Sequence, residues 1–516
     1  MSKIMKNILF FVILSALFAG IILVSTKSRL GSPEIGELNT LVWTENGPLE
    51  LSPERARFAL LYSLVEDKSF QLSNEVARLA TPDLGYKDGH YVSLFAPGTS
   101  LAMVPGYLVG KQFGASHLGA SLTIGIFAFL NAWLIIHIVA SLSARPVAGV
   151  ISALIFLVGT PAFTYAGVIY QHHLSTFFLL FVIALALGKK KIWKIALSYF
   201  LFGTSIIIDY PNAFLILPVI LYSTYRFISK SHKNNLTEIS FPSVLVASMF
   251  TILIPLLIYL RLNHLSYGNA FQLSNTVTHI QALDEDGRPS AGRGADERAS
   301  SDIENLGARK RNALNFFKAR HLVTGLYAFS VSPDRGLLVF SPVIVLGFLG
   351  FGILLRKNAH FAQTLLAVVV LNILLYAMRS DPWGGWAFGP RYLIPSMSVL
   401  ALALGVLIAK YNRHLLLLSF VLLTGGYSVI VNASGAISTT ANPPQIEVLS
   451  LEALSGRQER YSYDRNIEYL KTGKSKSFIY KNYFSALSPW QYYLSVVSTL
   501  SAILLILIIL NFRKKS

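Results

Sequence analysis

The sequence contains no cysteine, which excludes disulfides, thiolate metal sites and cysteine nucleophiles. Charge is scarce too. Only 14% of the 516 residues are Asp, Glu, Lys or Arg, against about 25% in soluble domains. So few charged side chains cannot cover a globular surface, and lipid must be the solvent for much of the chain. There is no Walker loop and no Rossmann glycine fingerprint. No His and carboxylate pattern matches a zinc site. Nor is any soluble stretch long enough for a nucleotide-sugar-binding domain. Internal repeats, from which many transporters are built, are not visible either.

What is present is 53% hydrophobic, gathered in runs of about 17–25 residues, the length of a spanning helix. The runs fall near 7–25, 118–140, 147–168, 173–188, 193–208, 211–226, 243–261, 336–355, 361–378, 393–409, 414–431 and 491–511. The net charge of +18 raises nucleic acid as a partner. The Lys and Arg residues, however, fall in short bursts between apolar runs, so no nucleic acid is expected and the bursts read as topology determinants. With a cytoplasmic N-terminus, the inside loops carry Arg145, Lys189-Lys190-Lys191, Arg226 to Lys233, Arg356-Lys357, Lys410 to His414 and Arg513-Lys514-Lys515. Both termini are then cytoplasmic, and about twelve spans follow. Lys3 and Lys6 before the first run resemble the start of a signal peptide, but a small-x-small cleavage site is lacking and a retained anchor is expected.

Residues 96–112 (APGTSLAMVPGYLVGKQ) decide the register. Counting them as a span would place every later basic cluster outside, so they read as an interfacial or re-entrant helix. The long loops, about 26–117, 262–335, 379–392 and 432–490, then face out. In the first, SPERARFALLYSLVEDKSF reads as an amphipathic helix on the membrane surface, with Ser52 as N-cap, Pro53 first in the helix and Glu54 a first-turn acid. The stretch 281–311, polar and Gly-rich, reads as mobile. Residues 1–431 form the expected transmembrane catalytic module, including outer loops 26–117 and 262–335; 432–516 add an outer-face loop and a last helix.

The densest chemical signal is SDPWGGWAFGPRYLIP (380–395), which packs Asp381, Trp383, Trp386 and Arg391 into one outer turn. Its three glycines allow backbone to approach a ligand, and an Arg at a helix start can grip phosphate through its planar fork of donors. An aromatic belt with a headgroup-seeking Arg is the structural alternative. In the first loop, Glu54 and Arg57 lie on the helix, while Asp83, Lys87, Asp88, His90 and Tyr91 lie in a turn-rich stretch. A carboxylate there can act as general base; a solvated helix face and a polar turn are the alternative. Gln171-His172-His173 closes a span at the outer end, where adjacent histidines point about 100° apart and make a poor metal pair. Asp209-Tyr210 and Asp334-Arg335-Gly336 occupy similar outer ends, where ionisable groups often mark a site.

The order of a long first outer loop, YKDGHYVSLFAPG, YGNAF, DRGLLVFSP and WGGWAFGPRYLIP resembles bacterial multi-span glycosyltransferases of the C-type fold. This is the family 39 group, related to protein O-mannosyltransferases and the lipid A aminoarabinose transferase. The resemblance covers about residues 5–410 and is most specific at WGGWAFGPRYLIP. It implies an all-α integral membrane fold with juxtamembrane helices in the first loop. It also implies a polyprenyl-phosphate sugar donor, an envelope glycan, lipid or protein acceptor, and inverting transfer at the outer face of a bacterial inner membrane. The family's catalytic carboxylate sits in the first loop, commonly as an Asp-Glu pair. Here the position reads Pro53-Glu54, so Glu54 and Asp83 are the candidates. The family's Lys before the second-motif proline is replaced by Phe95-Ala96-Pro97, leaving Lys87 or Arg391 for the donor phosphate. No metal ligands are assigned, and a divalent metal ion stays open as cofactor because family members differ. A transporter, flippase, polymerase or ligase for lipid-linked oligosaccharide is the rival reading.

The absence of native cysteine makes the topology directly testable. A Lys190→Cys variant is expected to react with a membrane-impermeant thiol reagent only in permeabilised cells, and His90→Cys in intact ones. The reverse pattern would overturn the orientation.

Overall fold

The structure, a computed structural model, describes residues 3–233, 236–240, 242–290, 317–379, 381–456 and 458–513. The stretch read as mobile lies largely outside the described residues, since 291–316 are not among them.

Among the described residues, seven helices are long and apolar enough to cross a membrane: Ile8–Ser25, Ser116–Ser143, Ser243–Tyr267, Ala359–Ala377, Arg391–Lys410, Leu415–Ile437 and Pro489–Phe512. Four shorter apolar helices accompany them: Pro146–Val158, His172–Leu187, Ile192–Ile208 and Asn212–Tyr225. It is an integral membrane protein. Two expected spans are interrupted. The 147–168 run stops as a helix at Val158, and the chain turns through Gly159 and Pro161 into the short helix Ala162–Tyr165. The 336–355 run is broken into Leu337–Phe340, Pro342–Val345 and Gly347–Lys357. Pro342 explains one break, because its ring cannot continue the preceding turn.

The helix Arg391–Lys410 stands at the centre, with its apolar window wholly buried. It packs against Gly347–Lys357, Pro146–Val158, Ser116–Ser143, His172–Leu187 and Ala359–Ala377. A helix that is apolar all round is stable only in such surroundings. The tightest approach uses Gly347 and Gly350, whose Cα atoms face the carbonyls of Leu400 and Ala403. Small residues at helix contacts are how membrane helices gain packing energy when burial from water gives none.

At one end of the bundle the connections are short: 144–145, 188–191, Asn358 and 411–414. At the other, three long segments meet. The helix Gly98–Gln112 lies there, with its start against Ile207 and its far end tied by Gly31 N to Gly114 O at 2.7 Å. Both ends therefore sit on the side where the helix Lys3–Ser25 finishes. The stretch Leu84–Lys87 and His90–Ser93, read as turn-rich, is a β-hairpin. Its two-residue turn is Asp88-Gly89, at φ 48° and 85°, the backbone that Asp-Gly favours. Thr278–Ile280 adds a third antiparallel strand, so the 262–290 segment is anchored on the first loop. The 438–488 segment joins the same assembly: Phe478 N donates to Thr26 O at 2.8 Å and Ser477 Oγ to Val24 O at 2.7 Å.

The first-loop helix Ser52–Tyr62 corrects two expectations. Ser52 does not cap it. Leu51 holds the cap position without a side-chain bond, while the Ser52 hydroxyl donates to Asp83 Oδ2 at 2.7 Å. Nor does the helix float on the membrane with a solvated face, since Glu54, Arg57, Phe58, Ala59 and Leu61 are all buried. Thr440 of the 438–488 segment reaches Glu54 at 3.4 Å, while Gln171 and Phe95 cover Arg57.

Gly350→Leu would drive a side chain into the Ala403 carbonyl. Overpacking of this kind costs about 1–3 kcal/mol, and a lower unfolding temperature in detergent is expected. An unchanged one would show that the two helices can separate freely.

Candidate active site

A cavity of about 730 Å³ opens between the first-loop helix, the hairpin and the start of the central helix. Leu94, Phe95, Ile208, Phe214, Leu273 and Phe317 make an apolar wall. Opposite charges share the rest of the lining, with Glu50, Asp83, Asp209 and Asp381 against Arg55, Arg57, Arg379 and Arg391.

Arg391 begins the central helix and is 5% exposed. Its Nη2 donates to Gly384 O at 2.8 Å, while Nε and Nη1 are buried without a hydrogen-bond partner of good geometry. The guanidinium lies 4.9 Å from the Tyr170 ring centroid and 5.2 Å from that of Tyr392. The turn that receives it is held on both sides. Asp381 accepts from Trp383 N at 3.1 Å and Gly385 N at 2.7 Å. Gly384 and Gly385 sit at φ 72° and 64°, a region that L side chains rarely enter. Arg335 braces the turn from behind, through Nε to Trp383 O at 2.9 Å, Nη2 to Gly385 O at 2.8 Å and Nη1 to Asp334 O at 2.8 Å. The glycines thus serve the shape of the turn, and Arg335 and Trp383 its foundation; neither of those two lines the cavity.

Arg57 lines the cavity from the other side. It donates to Pro53 O at 2.8 Å and Gln171 Oε1 at 2.7 Å, and stacks on Phe95 at 4.2 Å. Burial lowers its pKa to about 10, which still leaves it charged at neutral pH. Gln171 passes the contact on to Asp209 at 3.3 Å. Asp209, half-buried, has its carboxyl pushed up by desolvation. Phe95 thereby has a defined place, as the aromatic face that receives the Arg57 guanidinium.

The remaining candidates divide. Asp83, His172, Asp381 and Trp386 line the cavity with Arg57, Asp209 and Arg391. His172 is stacked on Tyr170 at 5.5 Å and 10°. Trp386 donates from Nε1 to Glu447 Oε2 at 3.0 Å, with Arg465 5.6 Å from its ring. Lys87, His90 and Tyr91 are not brought in. Lys87 pairs with Asp88 at 3.2 Å in the hairpin turn, His90 is exposed, and Tyr91 donates to Gly287 O at 2.6 Å. His173 is fixed inside the bundle between Ala162 O, at 2.8 Å, and Asn131. Glu54, 1% exposed, lies one layer behind the lining.

In front of Glu54 stands Glu50, which the sequence reading passed over. Lys476 Nζ is 3.0 Å from Glu50 Oε1, and Thr439 and Thr440 both donate to the same carboxylate. Burial alone would raise Glu50, yet Lys476 and Lys27 hold it below the usual carboxylate range. The four-residue step from Glu50 to Glu54 was visible in sequence; Lys27 and Lys476 were not a readable pair. Among the described residues no group of three or more His, Asp or Glu side chains is placed to hold a metal ion. The described residues thus offer no all-protein set of metal ligands, and no step below runs through a metal.

No protein-family model matches the sequence, and no curated protein does. Solved structures to which the chain is similar include ArnT from Cupriavidus metallidurans in the apo state, with a TM-score of 0.47 and 11% identity over 98% of this chain and 76% of that one. The same protein bound to undecaprenyl phosphate gives a TM-score of 0.42 and 12% identity, again over 98% and 76%. The archaeal oligosaccharyltransferase AglB from Archaeoglobus fulgidus, in complex with an inhibitory peptide and a dolichol-phosphate, gives 0.41 and 13% over 97% of this chain and 56% of that one. At such identities and scores, activity has to be argued from the site's own chemistry.

Arg335→Met leaves the Trp383 and Gly385 carbonyls buried without donors, at about 1–3 kcal/mol each. It should lower the unfolding temperature in detergent and disorder the turn. Asp381→Ala should do so more mildly, and an Arg335→Met protein as stable as the parent would remove the bracing role.

Proposed function

We propose that this chain is a membrane glycosyltransferase. It moves a monosaccharide from a polyprenyl-phosphate carrier to an envelope acceptor, glycan, lipid or protein, at the outer face of the inner membrane. The observation that carries the reading is Arg391. A buried guanidinium with two spare donors calls for an anion, because an unpaired buried donor costs free energy that a ligand oxygen restores. The apolar wall beside it suits the first isoprene units of a carrier. A phosphate tethered to an apolar chain fits both requirements, whereas a free nucleotide sugar fits only one. The resemblance of WGGWAFGPRYLIP to the family's motif points to the same chemistry.

In the proposed step the acceptor oxygen attacks the anomeric carbon from the side opposite the phosphate. A bond forms there as the anomeric carbon–phosphate oxygen bond breaks, which inverts the configuration. The electron pair leaves with the phosphate, where Arg391 stabilises the growing charge. The acceptor proton goes to a first-loop carboxylate, with Asp83 and Glu50 both on the cavity wall. Burial of the charged groups in an enclosed cavity strengthens each of these interactions.

Undecaprenyl phosphate is the probe for the donor side. It should raise the unfolding temperature of the purified chain. Arg391→Ala should weaken its binding at least ~10-fold, about 1.4 kcal/mol, and lower sugar transfer by ~100-fold or more while the chain stays folded. Binding and transfer unchanged in Arg391→Ala would sink the reading.

A further inference from the structure

Thr440 lies between two carboxylates. Its Oγ1 is 3.3 Å from Glu50 Oε2 and 3.4 Å from Glu54 Oε1. A hydroxyl has one proton to give, so it cannot donate to both. Two ionised carboxylates would leave one oxygen facing an oxygen with no proton between them. Glu50 is the one fixed as an anion, by Lys476 at 3.0 Å and by the Thr440 backbone N–H at 3.1 Å. Glu54 Oε2 is buried with no partner at all. An ionised carboxylate with a bare oxygen in such a place is costly; a neutral carboxyl is not. The arrangement is consistent when Glu54 carries a proton and donates it to Thr440, which donates in turn to Glu50.

We infer that Glu50, Thr440 and Glu54 form a proton wire, with Glu50 as its end at the cavity and Glu54 as its store. This rests on the transferase reading for its purpose but not for its existence. In the transfer step, the acceptor hydroxyl gives its proton to Glu50 as its oxygen bonds to the anomeric carbon. Glu50 passes that proton to Thr440 Oγ1, and Thr440 releases its own to an ionised Glu54. Glu50 ends as an anion again, so the cavity keeps its charge while the proton sits one layer back. The wire accepts a proton only when Glu54 has none.

Other charged groups set the balance. Lys27 reaches the pair from beyond the first span, Lys476 from the 438–488 segment, and Arg391 from the head of the central helix; all three favour the Glu54 anion. Tyr165 and Tyr170 face it as neutral phenols. Burial and the neighbouring Glu50 outweigh the cations and raise Glu54 to about 7. Its proton is therefore bound below that pH and lost above it. Transfer should rise with pH through about 7, where the store empties.

The test uses the full chain in detergent and two readouts. Infrared titration without ligand should show a protonated carboxyl band that vanishes with a midpoint near 7, absent in Glu54→Gln. Glu50→Gln, which removes the adjacent anion, should move the midpoint down. Thr440→Val, which removes the acceptor of the Glu54 proton, should move it further down, and Thr440→Ser should restore it. In transfer assays Thr440→Val should lose ~10-fold or more together with its pH inflection, and Thr440→Ser should recover both. A band of midpoint near 7 that survives Glu54→Gln, or a midpoint untouched by Thr440→Val, overturns the wire whatever the activity. A parent chain that titrates as described but transfers no sugar overturns the transferase reading alone.

Discussion

A guanidinium buried at the head of an apolar helix has to find its hydrogen-bond acceptors in whatever surrounds it, and much of the site follows from that requirement. Arg391 is placed by the central helix, which has no exposed face on which a charge could find water. The Gly384-Gly385 turn supplies one carbonyl, two aromatic rings supply π faces, and two donors are left over. The turn in turn depends on a second buried arginine, Arg335, and on Asp381. The turn and the rings thereby fix the guanidinium's place in the folded chain.

The same economy of charge ties the ends of the chain together. Lys27 follows the first span and Lys476 precedes the last; with Glu50 and Glu54 they bring two ammonium and two carboxyl groups into one cluster. Lys476 also donates to the Glu45 carbonyl at 2.7 Å, and Lys27 to the Gly435 carbonyl at 3.1 Å. Removing any one partner leaves a bare charge in a poorly solvated place, which is far more costly than losing a surface ion pair. The first loop and the 438–488 segment consequently behave as one unit over the cavity.

Much of this was legible in the sequence, for identifiable reasons. Runs of apolar residues and clusters of Lys and Arg are local properties, and they placed most of the helices to within a few residues, while the breaks at Gly159 and Pro342 inside two of the runs went unread. The motif around Arg391 stood out because neither a spanning helix nor an aromatic belt requires an Asp, three glycines and an Arg so close together. Where the reading failed, it failed on burial. Glu54 and Arg57 looked like groups on a solvated helix face because what covers them, Thr440 and Gln171, lies 386 and 114 residues away in the chain. Lys87, His90 and Tyr91 looked like cavity residues because their hairpin was read as an open turn. Glu50 went unnoticed beside Glu54, since nothing in the local sequence announces Lys476 or Thr440.

The sequence by itself determined the medium, the run of helices and the dense Asp, Gly, Trp and Arg motif around Arg391, since hydrophobicity and charge act wherever the chain goes. The tertiary structure decided which charges meet. Phe95 became a partner of Arg57, Arg335 a brace and Glu54 a carboxyl behind the wall, because each of these roles depends on distances between groups far apart in sequence. In a medium of low dielectric those distances set protonation and strength, and spacing along the chain carries no record of them.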